Sequence, residues 1–271
     1  MQRDRARLDS VRGFVLDVDG TLVHRAGKDV HALPGAVELL ERIRASARPF
    51  VLFTNGSHAA PETFAAEIRA SGLDVGDDEV LTPLVSVRFW LESRRPDGSV
   101  LLFGADASHE YLRRTGVRLV EEEPDVVFVA HSDVVDFDRL ERAARAVLSG
   151  APLLTASYQP AYAGADGPIL SRGAMTAAAI AKASSRRPVV VGKPSRAALA
   201  AITDRLAAKP HDLALIGDDV NMDIALGRMG GAHTILVRSG ISGGGSDLDR
   251  VPASRRPDEI VDGVLDVLER L

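Results

Sequence analysis

Short runs of apolar residues alternate along this chain with segments that have a helical period. The apolar runs are rich in Val, Leu and Ile and lie at 11–18, 49–53, 99–103, 125–130, 152–155, 188–191, 213–216 and 233–237. Strands that are buried on both faces have this continuous apolar character. Strands that alternate with helices form βαβ units, and such units build a parallel sheet. The alternation therefore predicts an α/β fold.

The helical segments predict how the chain is divided into domains. They lie at 34–47, 61–70, 84–92, 108–115, 137–148, 173–183, 196–207, 222–229 and 257–271. Pro34 suits the first turn of a helix, Asp136 can cap a helix N-terminus, and Gly72 follows a helix end. A break at 95–98 precedes a second alternating set, which indicates a small inserted α/β unit. We therefore expect a core at 1–83, an inserted cap at 84–187 and the rest of the core at 188–271.

Composition excludes several classes of site and partner. The 271 residues contain no cysteine, so disulfides, thiolate catalysis and Cys-ligated zinc are all excluded. The net charge is −5, with acidic and basic residues interspersed, which argues against a dedicated binder of nucleic acid or of anionic membranes. Residues 1–10 lack the apolar stretch of a signal peptide, and no run is long enough to span a bilayer. We therefore expect a cytoplasmic protein with no nucleic-acid or membrane partner.

The first apolar run ends in two carboxylates, Asp17 and Asp19. Side chains alternate along a strand, so both carboxylates would leave the same face. They repel each other unless a cation lies between them, and ligands of α/β folds bind at the carboxyl ends of strands. A hard divalent cation, Mg²⁺ above all, suits such oxygen ligands. An acidic turn after a strand is the alternative, because Asp and Gly are ordinary turn residues.

Three further predicted strands also end in polar residues. These residues are Thr54 and Asn55, Lys193, and the group of Asp218, Asp219 and Asp223. Each group has an ordinary alternative, namely a turn, a solvated charge and a capped helix start. The carboxyl ends of four predicted strands would, however, meet in one crevice, and coincidence then explains the pattern poorly. Phosphoryl transfer needs such a set: a nucleophile, a metal and donors for the phosphoryl oxygens.

In their order and separations these motifs resemble those of the haloacid dehalogenase-like (HAD) phosphohydrolases. Residues 17–21, Asp-Val-Asp-Gly-Thr, are similar to the first motif, Thr54 to the second, Lys193 to the third and 217–223 to the fourth. The resemblance covers essentially the whole chain and fits subclass IIA, which includes NagD-like and p-nitrophenylphosphatase-like enzymes. It implies a Rossmann-like parallel-sheet core with an α/β cap domain inserted between the second and third motifs.

The resemblance also implies roles for the motif residues. Asp17 would attack phosphorus and become an aspartyl phosphate, and Asp19 would protonate the leaving oxygen and then activate water. Asp17, the backbone carbonyl of Asp19, and Asp218 would ligate Mg²⁺, while Asp223 would hold metal-bound waters. The phosphoryl oxygens would be bound by Thr54, Asn55 and Lys193.

Three departures from the family pattern bear on substrate choice. Gly56 stands where a second Asn is common, Val23 and His24 stand where an aromatic residue is common, and 155–159 replace a Thr-Asn-Pro-Asp stretch. We expect the cap to act as a mobile lid and its loop at 157–166 to select the substrate. The expected selecting residues are Ser157, Tyr158, Gln159 and His131. A surface loop or solvated turn without substrate contact is the alternative.

The sequence thus predicts a Mg²⁺-dependent phosphatase that hydrolyses a small phosphorylated metabolite. The alternatives are a phosphotransferase or mutase, in which the aspartyl phosphate passes to a sugar hydroxyl, and a non-catalytic phosphometabolite-binding protein. An intact Asp19 favours an enzyme, since a pure binder has no need of an acid and base. The substrate stays open among sugar phosphates, glycerol phosphate, phosphoglycolate, nucleoside monophosphates and pyridoxal phosphate. A homodimer formed through the cap is implied by the resemblance alone.

Overall fold

The chain forms two compact units, and the second is inserted into the sequence of the first. A computed structural model describes residues 8–26, 29–162, 169–241 and 251–271. The first unit comprises 1–54, 62–81 and 199–271, and the second comprises 55–61 and 82–198. Among the described residues, no helix has both the length and the apolar surface that crossing a membrane requires.

Strands and helices alternate through most of the described chain. The strands are β1 (Gly13–Asp17), β2 (Val23–Ala26), β3 (Asp29–Ala32), β4 (Phe50–Phe53), β5 (Val80–Leu81), β6 (Val100–Phe103), β7 (Val126–Val129), β8 (Leu153–Thr155), β9 (Ala161–Tyr162), β10 (Ile169–Leu170), β11 (Val189–Val190), β12 (Leu213–Gly217), β13 (His233–Val237) and β14 (Glu259–Val261). The α-helices are α1 (Ala36–Ala45), α2 (Pro61–Ala70), α3 (Pro83–Arg94), α4 (Asp106–Arg114), α5 (Phe137–Leu148), α6 (Arg172–Ser184), α7 (Arg196–Leu206), α8 (Ala225–Gly230) and α9 (Val264–Leu268).

A six-stranded parallel sheet forms the core of the first unit. Its strand order is β14-β13-β12-β1-β4-β5, and every neighbouring pair is parallel. All residues of β1, β4, β12 and β13 are buried. Burial on both faces explains why the sequence has continuous apolar runs here and no alternating pattern. The predicted Rossmann-like parallel core is confirmed.

The register of the central strands aligns their carboxyl ends. The last residue of β1, Asp17, pairs with the last residue of β4, and the penultimate residue of β1 pairs with that of β12. Because all three strands are parallel, Asp17, Thr54 and Asp218 stand at the same edge of the sheet. This edge is where ligands bind in open α/β sheets.

The second unit has a parallel sheet of its own, with the strand order β11-β8-β7-β6. Helices α5 and α6 pack together and against this sheet. The core that they enclose contains Leu101, Phe103, Val127, Val129, Ala143, Val147, Leu153, Ala177 and Ile180. Burying one large aliphatic or aromatic side chain contributes roughly 1.5–3 kcal/mol relative to leaving it exposed. The inserted segment therefore has its own hydrophobic core, and the predicted α/β cap is confirmed.

Strand β11 belongs to the sheet of the second unit. The predicted boundary at residue 188 would place this strand with the core, whereas Val189 and Val190 pair with Leu154 and Thr155 of β8. An apolar run indicates that a strand is buried but does not identify its partner. The strand that precedes Lys193 is therefore outside the six-stranded sheet, which contains the strands that lead to Asp17, Thr54 and Asp218. That the four polar strand ends meet in one crevice stays a prediction. The exact limits of the domains stay a prediction.

The prediction of a single helix at 257–271 is wrong. The described chain forms β14 there, followed by the short helix α9. Glu259 and Val261 are buried while Ile260 is 40 % exposed, so the three residues of β14 alternate as an edge strand does. The apolar pattern also predicts neither antiparallel hairpin, β2-β3 or β9-β10, because strands of two to four residues have too few positions to show a period.

Candidate active site

The turn after β1 holds the first predicted site residue. Asp17 is only 8 % exposed, and the hydroxyl of Thr21 donates a hydrogen bond to its Oδ2 at 3.0 Å. Gly20 has a φ of +84°, in the left-handed region that favours glycine, and a Cβ at this position would lie 2.6 Å from Oδ2 of Asp218. Only glycine therefore allows the turn to approach Asp218 this closely.

Three carboxylates meet at this edge of the sheet. One oxygen each of Asp17, Asp218 and Asp223 lies within 4.8 Å of the others, and all three residues are buried. Asp17 ends β1, Asp218 follows β12, and Asp223 lies in the π-helical turn Val220–Ile224. The structure therefore brings together three residues that the sequence predicts to lie in or next to a metal site. We call them the carboxylate cluster.

Backbone N–H groups hold two members of the carboxylate cluster. The N–H of Asp219 donates to Oδ2 of Asp223 at 3.0 Å, and the N–H of Ile241 donates to Oδ2 of Asp218 at 2.6 Å. Gly217 is required by the same packing, since a Cβ there would lie 2.3 Å from Cγ of Asp223. The carboxylates are thus fixed by the fold.

The carboxylate cluster fits a hard divalent cation. Buried carboxylates this close repel one another, and a cation between them offsets the repulsion. The donors are all oxygen atoms, which Mg²⁺ and Ca²⁺ prefer. The cluster consists of side chains, so it does not bear on Asp19, whose predicted metal ligand is a backbone carbonyl.

The side chain of Asp19 lies in a different set of contacts. Its Oδ1 accepts a hydrogen bond from Nε of Arg25 at 2.5 Å, and its Oδ2 lies 3.5 Å from Oγ1 of Thr54, which is buried. Nη1 of Arg25 donates to Glu67 at 2.8 Å. Burial alone would lower the pKa of Arg25, but the negative charges of Asp19 and Glu67 outweigh burial and raise the pKa above its ordinary value.

Arg25 and Glu67 are not among the residues predicted from the sequence. Arg25 lies in β2, in an unpredicted hairpin, and Glu67 lies in α2, 42 residues further along the chain. The only feature of the sequence that could have pointed to Arg25 as a site residue is its closeness to the first motif.

Asn55 and Lys193 form a reciprocal pair within the second unit. Nδ2 of Asn55 donates to the carbonyl of Lys193 at 3.0 Å, and the N–H of Lys193 donates to Oδ1 of Asn55 at 2.7 Å. Lys193 is only 4 % exposed. A Cβ at Gly192 would lie 2.3 Å from the carbonyl oxygen of Ala156 and 2.5 Å from Oδ1 of Asn55, so glycine is needed here. Asn55 is therefore bound to the backbone of the third motif across a sequence separation of 138 residues.

The predicted selecting residues lie in the second unit. Tyr158 is 43 % exposed, and Ser157 and Gln159 are half-buried and linked by a hydrogen bond from the Gln159 N–H to Oγ of Ser157 at 3.4 Å. The N–H of His131 donates to Oγ of Ser57 at 3.0 Å. Of the predicted selecting loop at 157–166, positions 163–166 lie outside the described residues.

Two family models match this chain. The model of haloacid dehalogenase-like hydrolases matches residues 14–118, and a HAD-hydrolase-like model matches 190–267. The first stretch contains the first and second motifs, and the second stretch contains the third and fourth. The first match also covers 82–118 of the second unit, so the two matches together contain all four motifs and lie on either side of 119–189.

Individual relatives and a solved structure extend over nearly the whole chain. The ribonucleotide monophosphatase NagD of Escherichia coli K12 is 31% identical over 266 residues, which cover 95% of this chain and 98% of that protein. The dihydroxyacetone phosphatase of Corynebacterium glutamicum is 25% identical and covers 94% and 90%. The structure of a p-nitrophenyl phosphatase from Archaeoglobus fulgidus matches with a TM-score of 0.84 at 27% identity, covering 97% of this chain and 100% of that one. The chain therefore belongs to the haloacid dehalogenase-like hydrolases, and within them to the NagD-like phosphatases of subclass IIA.

Proposed function

We propose that this chain is a Mg²⁺-dependent phosphatase that hydrolyses a small phosphorylated metabolite through an aspartyl phosphate on Asp17. The carboxylate cluster carries the proposal, because it places the predicted nucleophile beside the oxygen ligands that a hard cation needs. Relatives named dihydroxyacetone phosphatase and ribonucleotide monophosphatase support a small phosphate monoester as the substrate.

The proposed reaction has two steps, and Asp17 and Asp19 take part in both. In the first step an oxygen of Asp17 forms a bond to phosphorus while the bond from phosphorus to the ester oxygen breaks, and Asp19 gives a proton to that leaving oxygen. In the second step Asp19 takes a proton from water, and the water oxygen forms a bond to phosphorus while the bond from phosphorus to the Asp17 oxygen breaks. Inorganic phosphate leaves, and Asp17 returns to its carboxylate form.

The metal ligands proposed are Asp17, Asp218 and the backbone carbonyl of Asp19, with Asp223 holding metal-bound waters. Bound Mg²⁺ would supply positive charge that offsets the negative charge of the phosphoryl oxygens and of the surrounding carboxylates. Asp218 and Asp223 are held by the backbone of their own loops. These two residues can therefore keep their positions while the charge on Asp17 changes during the reaction.

Thr54, Asn55 and Lys193 are proposed to bind the phosphoryl oxygens. A hydroxyl, a backbone amide and an ammonium group are all donors, and the bond between a charged donor and a phosphoryl oxygen is among the stronger hydrogen bonds. The two hydrogen bonds between the Asn55 side chain and the backbone of Lys193 fix the backbone from which the lysine side chain extends. A fixed stem lowers the entropy lost when the ammonium group binds an anion.

Release of inorganic phosphate from 4-nitrophenyl phosphate, with and without Mg²⁺, tests the proposed function. We expect turnover that depends on Mg²⁺ and yields equal amounts of phosphate and 4-nitrophenol. Transfer to added sugar hydroxyls in place of water would indicate the phosphotransferase alternative. Tight binding of phosphate esters without turnover would indicate the binding protein. The cytoplasmic location and the homodimer stay predictions.

Substrate selection is proposed to involve the cap loop. The proposed phosphoryl-binding groups meet the phosphoryl end common to all these esters, so selection among leaving groups has to come from elsewhere. Replacing Tyr158 and Gln159 together with alanine is expected to change the rank order of kcat/KM across several phosphate esters and to leave Mg²⁺ dependence unchanged. Phe137→Ala is a matched control, since Phe137 is an aromatic residue of the same unit and is 84 % exposed. A uniform change for every ester would place selection elsewhere, with His131 and Ser132 next to test.

A further inference from the structure

Arg25 connects three parts of the first unit. It lies in β2, its Nε donates to Oδ1 of Asp19 at 2.5 Å, and its Nη1 donates to Oε2 of Glu67 in α2 at 2.8 Å. The hairpin that carries Arg25 is itself bound to the turn of the first motif. The N–H of Gly20 donates to the carbonyl of Val23 at 2.8 Å, and the N–H of Val23 donates to the carbonyl of Val18 at 3.0 Å.

These contacts stabilise the fold too little to explain why Arg25 is placed there. The side chains of Arg25, Asp19 and Glu67 are 30 %, 46 % and 34 % exposed, and partly exposed ion pairs contribute little to stability. Nη2 of Arg25 is buried and has no hydrogen-bond partner among the described residues. An unsatisfied buried donor is unfavourable, so the position suits a functional role better than a structural one.

The geometry restrains both oxygens of the Asp19 carboxyl group. Arg25 binds Oδ1, and Oγ1 of the buried Thr54 lies 3.5 Å from Oδ2. A guanidinium group is always a donor, and a carboxyl group keeps an acceptor oxygen whether or not it is protonated. Arg25 can therefore keep its bond to Oδ1 in both forms, which assigns the transferred proton to Oδ2.

We propose that Arg25 is a positioning residue for Asp19. Held by Glu67, it keeps the carboxyl group in the orientation in which Oδ2 gives a proton to the leaving oxygen and later takes one from water. Glu67 is needed because the long side chain of arginine would otherwise lose its fixed geometry. This role rests on the proposed function, in which Asp19 is the acid and base.

The test compares two substrates that differ in how much they need a proton donor. Glycerol 3-phosphate releases an alkoxide that needs a proton, whereas 4-nitrophenyl phosphate releases a stable phenolate. Because kcat/KM includes only steps up to departure of the leaving group, hydrolysis of the aspartyl phosphate does not enter the comparison. Arg25→Gln is expected to lower kcat/KM for the glycerol ester by about 10- to 100-fold, and for the nitrophenyl ester by less than about threefold.

Two further variants separate positioning from a general loss of structure. Glu67→Gln keeps the arginine but weakens its hold. It is expected to lower kcat/KM more for the glycerol ester than for the nitrophenyl ester, with a smaller loss than Arg25→Gln causes. Arg44→Gln is the matched control, because Arg44 pairs with Glu79 and Asp74 in the same unit at similar exposure; its kcat/KM for both esters should change by less than about twofold. In the Asp19→Asn background, Arg25→Gln should cause less than about a twofold further loss with either ester.

The outcomes distinguish this proposal from the proposed function. Equal losses for the two esters, or losses that multiply in the double variant, would overturn the role of Arg25 and leave the phosphatase assignment intact. If the unaltered enzyme released no phosphate from either ester, the proposed function would fail and the role of Arg25 with it.

Discussion

Asp17→Asn is expected to lower kcat/KM for every phosphate ester by at least about 10⁴-fold, as removal of a catalytic nucleophile does in other enzymes. An amide has no anionic oxygen to attack phosphorus and is a weaker ligand for a cation. Its size and shape are almost those of the carboxylate, and its oxygen can still accept the hydrogen bond that Thr21 donates to Oδ2. The loss should therefore come from chemistry and leave the fold unchanged.

The thermal stability of Asp17→Asn gives a second readout. Without metal, the carboxylate cluster holds three mutually repelling charges, and the substitution removes one of them. In excess chelator we expect the variant to melt at the temperature of the unaltered protein or above it. Asp74→Asn makes the same chemical change at a side chain that is 84 % exposed and should alter neither activity nor melting.

A covalent intermediate makes the assignment of Asp17 directly testable. Substrate labelled in its phosphoryl group, mixed briefly with enzyme and quenched in acid, should leave label on the protein that hydroxylamine releases. Asp17→Asn should retain none. Turnover by Asp17→Asn at the unaltered rate would exclude the aspartyl-phosphate mechanism.

The parallel core was predictable because its strands are buried on both faces. β1, β4, β12 and β13 are wholly buried, so each appears in the sequence as a continuous apolar run with polar residues at its end. Parallel strands then place those ends at one edge, so the sequence alone predicts that Asp17, Asp218 and Asp223 lie close together.

Elements that depend on a distant partner were not predictable in this way. The two residues of β11 are compatible with either sheet, and only their pairing with β8 assigns them to the second unit. β14 has only three residues, and its alternation of buried and exposed side chains is recognisable only because the strand pairs with β13. In both cases tertiary pairing decides a structure that the local pattern leaves open.

Dependence on tertiary contacts also explains why Arg25 was not predicted while the other site residues were. Polar residues that end a buried strand can be predicted because the strand itself positions them. The position of Arg25, in contrast, depends on its contact with Glu67, 42 residues away. It also depends on the β2-β3 hairpin, whose strands are too short to show a period in the sequence. Long-range side-chain contacts of this kind have no signature in a single sequence.

Removal of divalent metal is expected to abolish activity, and Mg²⁺ should restore it while Ca²⁺ restores it poorly. Mg²⁺ requires near-ideal octahedral geometry at about 2.0–2.1 Å, whereas Ca²⁺ takes more ligands at about 2.3–2.6 Å. The carboxylates of Asp218 and Asp223 are held by backbone N–H groups, so the cluster has little freedom to expand. A larger ion would therefore displace Asp17 from its line of attack.

Melting temperature measures binding of the metal independently of activity. A ligand at about 100 times its dissociation constant stabilises the folded state by about 2.7 kcal/mol, so Mg²⁺ should raise the melting temperature of the unaltered protein and of the Asp74→Asn control. Asp218→Asn should lose most of that shift, because it replaces one of three clustered carboxylates. An equal shift in Asp218→Asn would place the metal elsewhere, and full activity in excess chelator would refute the requirement for metal. If instead the shift and the activity are lost together, the carboxylate cluster is the metal site. The bound cation then offsets the repulsion among three carboxylates, which is stronger because they are buried.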